Sequence, residues 1–433
     1  MKILVIGQCT LHWGRMEFGN IGNYYIIEPF FRQLHRVFPD AQISTTFQMS
    51  EAFCLKESVE VLPMHLYYSW DNDLVQAKDE LVIANRYIEN GMLERTTPYI
   101  DVVKDMDLVI DFSGDIWGDN ADFLGEDRFM VGLLKDRVAQ LLAKKTVMLA
   151  GSPGPFNSKK NIDFAKEVYA NFDLVTNRES ISIQLLEENG FDTSKTKSLT
   201  CPAFLFEPTD LKNLLKFDAL EAIVAKDRKS VGFLICGWNF TTGPFDKWPR
   251  HDSEYLVFAE AIEAFTDNYD VDVYLMSHSN GFPVPPKQFE LQHGRDYPII
   301  KQLQKVLLER ANCRNVYALD GVYSAWETKR ILGAFDMVVS GRVHAAVAAM
   351  SQCVPTVVID YGHEPKAHKL RGFAQVAGQD AYVAHPDEKD SLQTKMNTVW
   401  DNRESIHNDL VEKIPKVKAL GKTHFDLLKQ ICL

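Results

Sequence analysis

An arginine and a histidine two positions apart, Arg342-Val343-His344, follow the run Asp336-Met337-Val338-Val339-Ser340-Gly341 and lead into Ala345-Ala346-Val347-Ala348-Ala349-Met350. The pattern reads as a strand, a tight Ser-Gly turn and a helix of small residues. A helix N-terminus offers free N–H groups and partial positive charge, so a guanidinium placed there makes a site for a phosphate or carboxylate. His344 beside such an anion could be an imidazolium and give up a proton near neutral pH, as a general acid must. The plainer alternative pairs Arg342 with a carboxylate at a domain interface and has His344 cap a loop carbonyl. The strand-end position favours chemistry, because ligand sites concentrate there.

Other candidates are weaker. Lys366, in the turn-rich loop after Thr356-Val357-Val358-Ile359-Asp360, could reach the same anion, or could be an ordinary solvated lysine. His363, Glu364 and His368 lack the spacing of a helical metal-ligand pair, so no metal is expected. His278, in Met276-Ser277-His278-Ser279-Asn280-Gly281, ends another strand and is a candidate for contact across a cleft. Gly19-Asn20-Ile21-Gly22-Asn23 lacks the third glycine of a dinucleotide fingerprint, yet its glycines would let backbone approach a ligand. Ser113-Gly114-Asp115 follows a third apolar run; Asp115 could orient a sugar hydroxyl or act as a base, or simply cap a turn. Asp71-Asn72-Asp73 reads as a surface turn.

These residues need elements to hold them. Apolar runs at Lys2 to Gly7, Ala41 to Phe47, Asp107 to Phe112, Thr146 to Ala150 and Asp173 to Thr176 alternate with amphipathic stretches at Tyr24 to Val37, Phe123 to Lys144 and Arg178 to Glu188. The alternation resumes with strands at Val231 to Cys236, Val271 to Met276, Asn315 to Ala318, Met337 to Ser340 and Thr356 to Asp360. It predicts an α/β protein of two doubly wound Rossmann-like domains facing each other across a cleft. The expected organisation is an N-terminal domain over 1–210, a C-terminal domain over 225–385 and a helical extension over 386–433 that returns to brace the first domain. The 433 residues, 46% of them hydrophobic, suffice to fill two cores.

The 47 basic and 59 acidic side chains leave a net charge of −12, which excludes binding of nucleic acid or anionic lipid by bulk electrostatics. No signal-peptide pattern and no stretch of about 18 apolar residues is found. The seven cysteines form no Cys-x-x-Cys pair, so a reducing cytoplasm is expected.

Taken together, Ser340-Gly341-Arg342-Val343-His344-Ala345-Ala346 with Val354-Pro355 and Asp360-Tyr361…Lys366 resembles the C-terminal signature of the polysaccharide pyruvyl transferase family. Gly19-Asn20-Ile21-Gly22-Asn23, Ser113-Gly114-Asp115, Gly154-Pro155-Phe156, Arg178-Glu179 with Ser182, Gly190 and Cys201-Pro202-Ala203-Phe204 continue it across residues 1 to 375. The glycine cluster is reduced at Ser113-Gly114-Asp115, and Asn23 stands where an aspartate is common. The resemblance implies a GT-B-like fold and an enzyme that moves the pyruvyl group of phosphoenolpyruvate onto two sugar hydroxyls, forming a ketal and releasing phosphate. It implies no cofactor. Arg342 and His344 would be catalytic; Arg178, Ser340, Gly341, Lys366 and His278 would bind the donor; Asn20, Gly22, Asn23, Ser113, Gly114 and Asp115 would bind the sugar acceptor. A lipid-linked acceptor would bring peripheral membrane contact. The competing readings are a nucleotide-sugar glycosyltransferase or epimerase of the same build, and a carbohydrate-binding relative without catalysis.

Overall fold

A computed structural model describes residues 1–208, 223, 228–245, 247–310, 315–363 and 367–433. The expected junction between residues 210 and 225 falls almost entirely outside the described residues. The chain divides into two compact units, the first comprising Met1–Met16, Glu28–Pro202 and Leu420–Leu433, the second Glu17–Ile27 and Ala203–Ala419.

In the first unit, β1 (Lys2–Ile6), β2 (Gln42–Thr45), β3 (Val59–Val61), β4 (Leu108–Asp111), β5 (Lys145–Gly151), β6 (Leu174–Asn177) and β7 (Thr196–Ser198) form a wholly parallel sheet in the order β3-β2-β1-β4-β5-β6-β7. The central strands are apolar because both faces are covered, and β4 is buried at every residue. The helices are α1 (Ile21–Val37), α2 (Glu51–Glu57), α3 (Asp73–Asn90), α4 (Pro98–Val103), α5 (Arg128–Leu141), α6 (Lys159–Ala170) and α7 (Ile181–Glu188).

The second unit repeats the plan. Its strands β8 (Lys229–Leu234), β9 (Val271–Leu275), β12 (Val316–Ala318), β13 (Met337–Ser340), β14 (Thr356–Ile359) and β15 (Val383–Ala384) pair in the order β12-β9-β8-β13-β14-β15, all parallel. A two-residue antiparallel pair, β10 (Asn280–Gly281) with β11 (Gln292–His293), stands apart. Counted within each unit, the orders run 3-2-1-4-5-6-7 and 3-2-1-4-5-6, the doubly wound arrangement, which places a topological switch point between β1 and β4 and another between β8 and β13. A 30-residue helix, Arg403–Cys432, closes the chain. Its last turns lie against α1, with Phe425 5.6 Å from Phe30 ring to ring and Arg36 paired with Asp426 at 2.7 Å.

The three helices expected in the first half begin elsewhere, α1 already at Ile21 rather than Tyr24. Asp127 takes a left-handed conformation at φ 51°, which delays α5 to Arg128 and leaves Asp119–Phe123 as a separate 3-10 turn. Arg178 does not open a helix but follows β6, and α7 starts only at Ile181. The edge strands β3, β7 and β15 have too few apolar residues to show as runs. Among the described residues no helix is long and apolar enough to cross a membrane.

Candidate functional site

At the second unit's switch point, Ser340 ends β13 and its hydroxyl serves the turn itself, donating to Arg342 O at 2.9 Å and accepting from Arg342 N at 3.1 Å. Gly341 passes so close to Asn239 that a Cβ there would lie 2.1 Å from Asn239 Oδ1. Asn239, in the turn after β8, accepts from Cys236 N at 2.8 Å and donates to Gly341 O and Ile359 O, both at 3.3 Å. One amide thus holds the ends of β8, β13 and β14 together.

Arg342 precedes the helix Val343–Met350 as its N-cap, with His344 in the first turn. The guanidinium forms a two-point pair with Asp296, Nε to Oδ2 at 3.1 Å and Nη2 to Oδ1. Burial would lower the pKa of Arg342, but the attraction of Asp296 outweighs it and holds the group charged, with its pKa raised well above the usual value. Asp296 Oδ2 also accepts from His278 N at 3.2 Å. The His278 side chain is 1% exposed, and neither ring nitrogen has a hydrogen-bond partner. Burial, followed by the charge of Arg342, pushes its pKa down to about 3, so the ring is neutral. Tyr25, from α1, meets that ring edge to face at 5.5 Å, and its own hydroxyl is buried without a partner.

The segment Gly19 to Asn23 is not the open glycine loop that its sequence suggests. Asn20 caps α1, its Oδ1 accepting from Gly22 N at 3.1 Å, and Asn23 N donates to Asn20 O at 2.9 Å. Gly22 is therefore helical, and it is needed because a Cβ there would fall 2.6 Å from both Cβ and Nδ1 of His344. Asn20 also forms an antiparallel bridge with Ser279. Asn20, Gly22 and Asn23 thus share a unit with His344, Arg342, Ser340, Gly341 and His278.

The first unit's switch point is built differently. Ser113 Oγ donates to Asp111 Oδ2 and Ser113 N to Asp111 Oδ1, each at 2.9 Å, while Gln8 N, just beyond β1, donates to Ser113 Oγ at 2.9 Å. Burial pushes the Asp111 carboxyl up to about 7 and raises that of its neighbour Asp136. Gly114 turns at φ 63°. Arg178, 1% exposed, lies beside it with Nε donating to Ser152 Oγ at 3.0 Å and Nη2 3.4 Å from Asp115 Oδ1, whose side chain is 29% exposed. Burial opposes the Arg178 charge, but Cys201, Asp115, Cys9 and Glu179 outweigh it and raise its pKa. Glu179 accepts from the backbone and hydroxyl of Ser182, so it caps α7. His424 of the closing helix stands between Thr176 Oγ1 at 2.8 Å and Thr200 O at 2.7 Å.

A family model described as polysaccharide pyruvyl transferase matches residues 20–363, from the cap of α1 to the loop after β14. The chain belongs to that family. As a polysaccharide pyruvyl transferase it is an enzyme that handles pyruvyl groups. It is 25% identical over 452 residues to the amylovoran biosynthesis protein AmsJ of Erwinia amylovora, all of both chains being covered. Among solved structures it is similar to a glycosyltransferase from Rickettsia africae (TM-score 0.58, 11% identity, 100% of this chain and 98% of that one). It is also similar to the UDP-GlcNAc 2-epimerase of Neisseria meningitidis (TM-score 0.57, 9% identity, 99% of each chain). These likenesses show the fold, which is of the GT-B type with two parallel-sheet domains.

Within this pyruvyl transferase, Ser340, Gly341, Arg342, His344 and His278 come together with Asn20, Gly22 and Asn23. Ser113, Gly114, Asp115 and Arg178 form a separate station in the first unit. Lys366 and Glu364 lie outside the described residues. His363 stacks on Phe245 at 3.7 Å and has Nε2 3.1 Å from Trp238 O. Sequence reasoning missed Asp296, Asn239 and Tyr25 in one unit and Asp111, Ser152 and His424 in the other. Asp296 signals only a helix start; Asp111, at the end of an apolar strand next to Ser113, carried a readable hint as a carboxyl inside a buried run.

Proposed function

We propose that this transferase takes its pyruvyl group from phosphoenolpyruvate and closes it as a ketal across two hydroxyls of a sugar acceptor, releasing phosphate. The observation that carries this reading is the join of Arg342 and His344 at the second unit's switch point, fixed from one side by Asp296 and approached from another by the glycine face of α1. The first N–H groups of the helix Val343–Met350 suit the donor phosphate, and the Arg342 guanidinium, kept charged by Asp296, stands at the same helix start. His344 delivers a proton to the enol methylene, and the carbon bearing the phosphate becomes cationic. A sugar hydroxyl bonds to that carbon and loses its proton. Phosphate then leaves with the C–O bonding pair, and the second hydroxyl closes the ring and loses its own proton. A positioned acid of this kind contributes roughly 10²–10⁴-fold.

In the first unit, Asp115 beside Arg178 offers a partly exposed carboxylate, suited to a sugar hydroxyl. No cofactor takes part in this scheme. The relation to the amylovoran biosynthesis protein AmsJ supports a place in polysaccharide synthesis.

The test is phosphate release from phosphoenolpyruvate with galactose-, mannose- and glucose-type acceptors, with mass spectrometry of the product. A mass gain of one pyruvyl ketal is expected, and Arg342→Ala and His344→Ala each abolish the release. Near-wild-type turnover in both variants removes the site assignment; UDP release from a UDP-sugar, with phosphoenolpyruvate unused, selects the glycosyltransferase reading.

A further inference from the structure

A groove in the first unit, apart from the Ser113 station, has the chemistry of a sugar subsite. It encloses about 290 Å³ and is lined by Tyr68, Trp70, Asp71, Asp73, Glu126 and Asp127 among others. Trp70 takes a left-handed backbone conformation, φ 62°, which a bulky side chain adopts only where its surroundings impose it. Its indole is held from several directions. Nε1 donates to Leu124 O at 2.7 Å, His12 stacks parallel at 4.7 Å, the Tyr68 ring meets it at 88° and 5.3 Å, and the Arg128 guanidinium lies 5.4 Å from its centre. Despite this fixation 39% of Trp70 remains exposed, and Phe123, next to the residue that accepts its N–H, is 72% exposed.

Around this rigid apolar surface the rim is acidic. Asp73 spends its oxygens inside the loop on Ser69 N, Ser69 Oγ and Asp71 N. The rim carboxylates of Asp71 and Asp127 have one oxygen each on a neighbouring side chain, Asn72 and Lys160. Glu126 is exposed and completes the set. Carboxylates accept hydrogen bonds and repel anions, so the occupant that fits carries hydroxyl donors, an apolar face and no negative charge. Such a fixed indole with few rotamers to freeze binds at low entropic cost.

The groove is also wired to the first unit's switch point. Arg128, fully buried beneath Tyr68 and Trp70, donates through Nε and Nη2 to Gln8 O at 3.2 and 2.8 Å, and Gln8 N holds Ser113 Oγ.

We infer that the Trp70 groove is a binding subsite for a neutral pyranose, an outer station for an oligomeric acceptor. The inference rests on the proposal that the acceptor is a sugar, but its test does not depend on turnover. Neutral hexasaccharides of galactose, mannose and glucose are titrated calorimetrically into the full chain, alongside hexagalacturonate. At least one neutral hexasaccharide binds, and hexagalacturonate binds more weakly. Trp70→Ala weakens that binding about tenfold or more, the scale of one lost buried contact, and Glu126→Gln weakens it in the same direction. With phosphoenolpyruvate and the matching monosaccharide both variants turn over as wild type, whereas with the hexasaccharide KM rises and kcat is kept. Absence of binding by every neutral hexasaccharide, tighter binding of hexagalacturonate, or binding untouched by both substitutions overturns the subsite. Loss of binding in Trp70→Ala without any phosphate release from phosphoenolpyruvate leaves the subsite standing and removes the donor proposal instead.

Discussion

The two switch points carry the same dipeptide, Ser113-Gly114 just beyond β4 and Ser340-Gly341 at the end of β13, and use it in opposite ways. After β4 the serine hydroxyl is a link in a buried chain, bonded to the carboxyl of Asp111 and to the backbone of Gln8. After β13 the hydroxyl turns back on its own loop, and the buried charge sits two residues later in Arg342, cancelled by Asp296. The first arrangement stores a carboxyl that resists ionisation; the second stores an ion pair that resists being neutralised. A shared fold and a shared turn therefore say little about chemistry, which is decided by what faces the turn from neighbouring elements.

The sharpest way to break this comparison is to remove the partner of each arginine. Asp296→Ala leaves a buried guanidinium without its two-point partner and should cost about 3–5 kcal/mol in denaturant unfolding. Asp115→Ala removes a partner that is partly in water and should cost about 1 kcal/mol or less. Equal losses would mean that the two arginines are held alike. Next come the glycines. Gly341→Ala and Gly22→Ala drive a methyl into Asn239 and His344, and overpacking of this kind costs about 1–3 kcal/mol. Gly22→Ala should also lower phosphate release far more than it lowers Tm. Gly114→Ala meets the Arg178 nitrogens at an ordinary 3.7 Å and pays only for its positive φ, about 1 kcal/mol.

Buried Asp111 and buried His278 act on the pH dependence with opposite signs. The Asp111 carboxyl keeps its proton in the fold after the unfolded chain has lost it, so its contribution is complete below pH ~3.9 and is lost as pH rises towards 7. His278 is neutral in the fold where the unfolded chain is protonated, so its contribution is present above pH ~6.5 and is lost as pH falls towards 3. Asp111→Asn should flatten the first slope and His278→Phe the second, as read from unfolding free energies between pH 4 and 8. Unchanged slopes would sink this account. The smallest effect belongs to Ser340. Ser113→Ala breaks bonds to other elements and should cost about 1 kcal/mol, whereas Ser340→Ala loses only contacts within its turn and should cost less.

Much of this architecture was readable from apolar runs, because parallel strands covered on both faces leave an unbroken signal, as at Met337–Ser340 and Thr356–Ile359. The position of Arg342 and His344 between strand and helix was legible for a related reason: polar residues at the end of such a run mark where the strand stops and the next helix begins. What could not be read were partners brought from far along the chain. Asp296 is 46 residues from Arg342, and nothing local in Gly294-Arg295-Asp296 distinguishes it from any acidic helix start. The glycines at 19 and 22 suggested a loop, whereas Gly22 is helical; absence of a side chain marks close approach as well as freedom, and only packing decides which.

The division of α1 bears on how this protein can be taken apart. Residues 17–27 count with the second unit although 28–202 count with the first. No single cleavage separates the two units intact: a fragment covering 203–419 would lack Tyr25 against His278, Gly22 against His344 and Asn20 beside Ser279. A chimera that exchanges the second half between family members must carry the first turns of this helix with it, and recombination at the obvious interdomain position would yield a sheet stripped of those contacts.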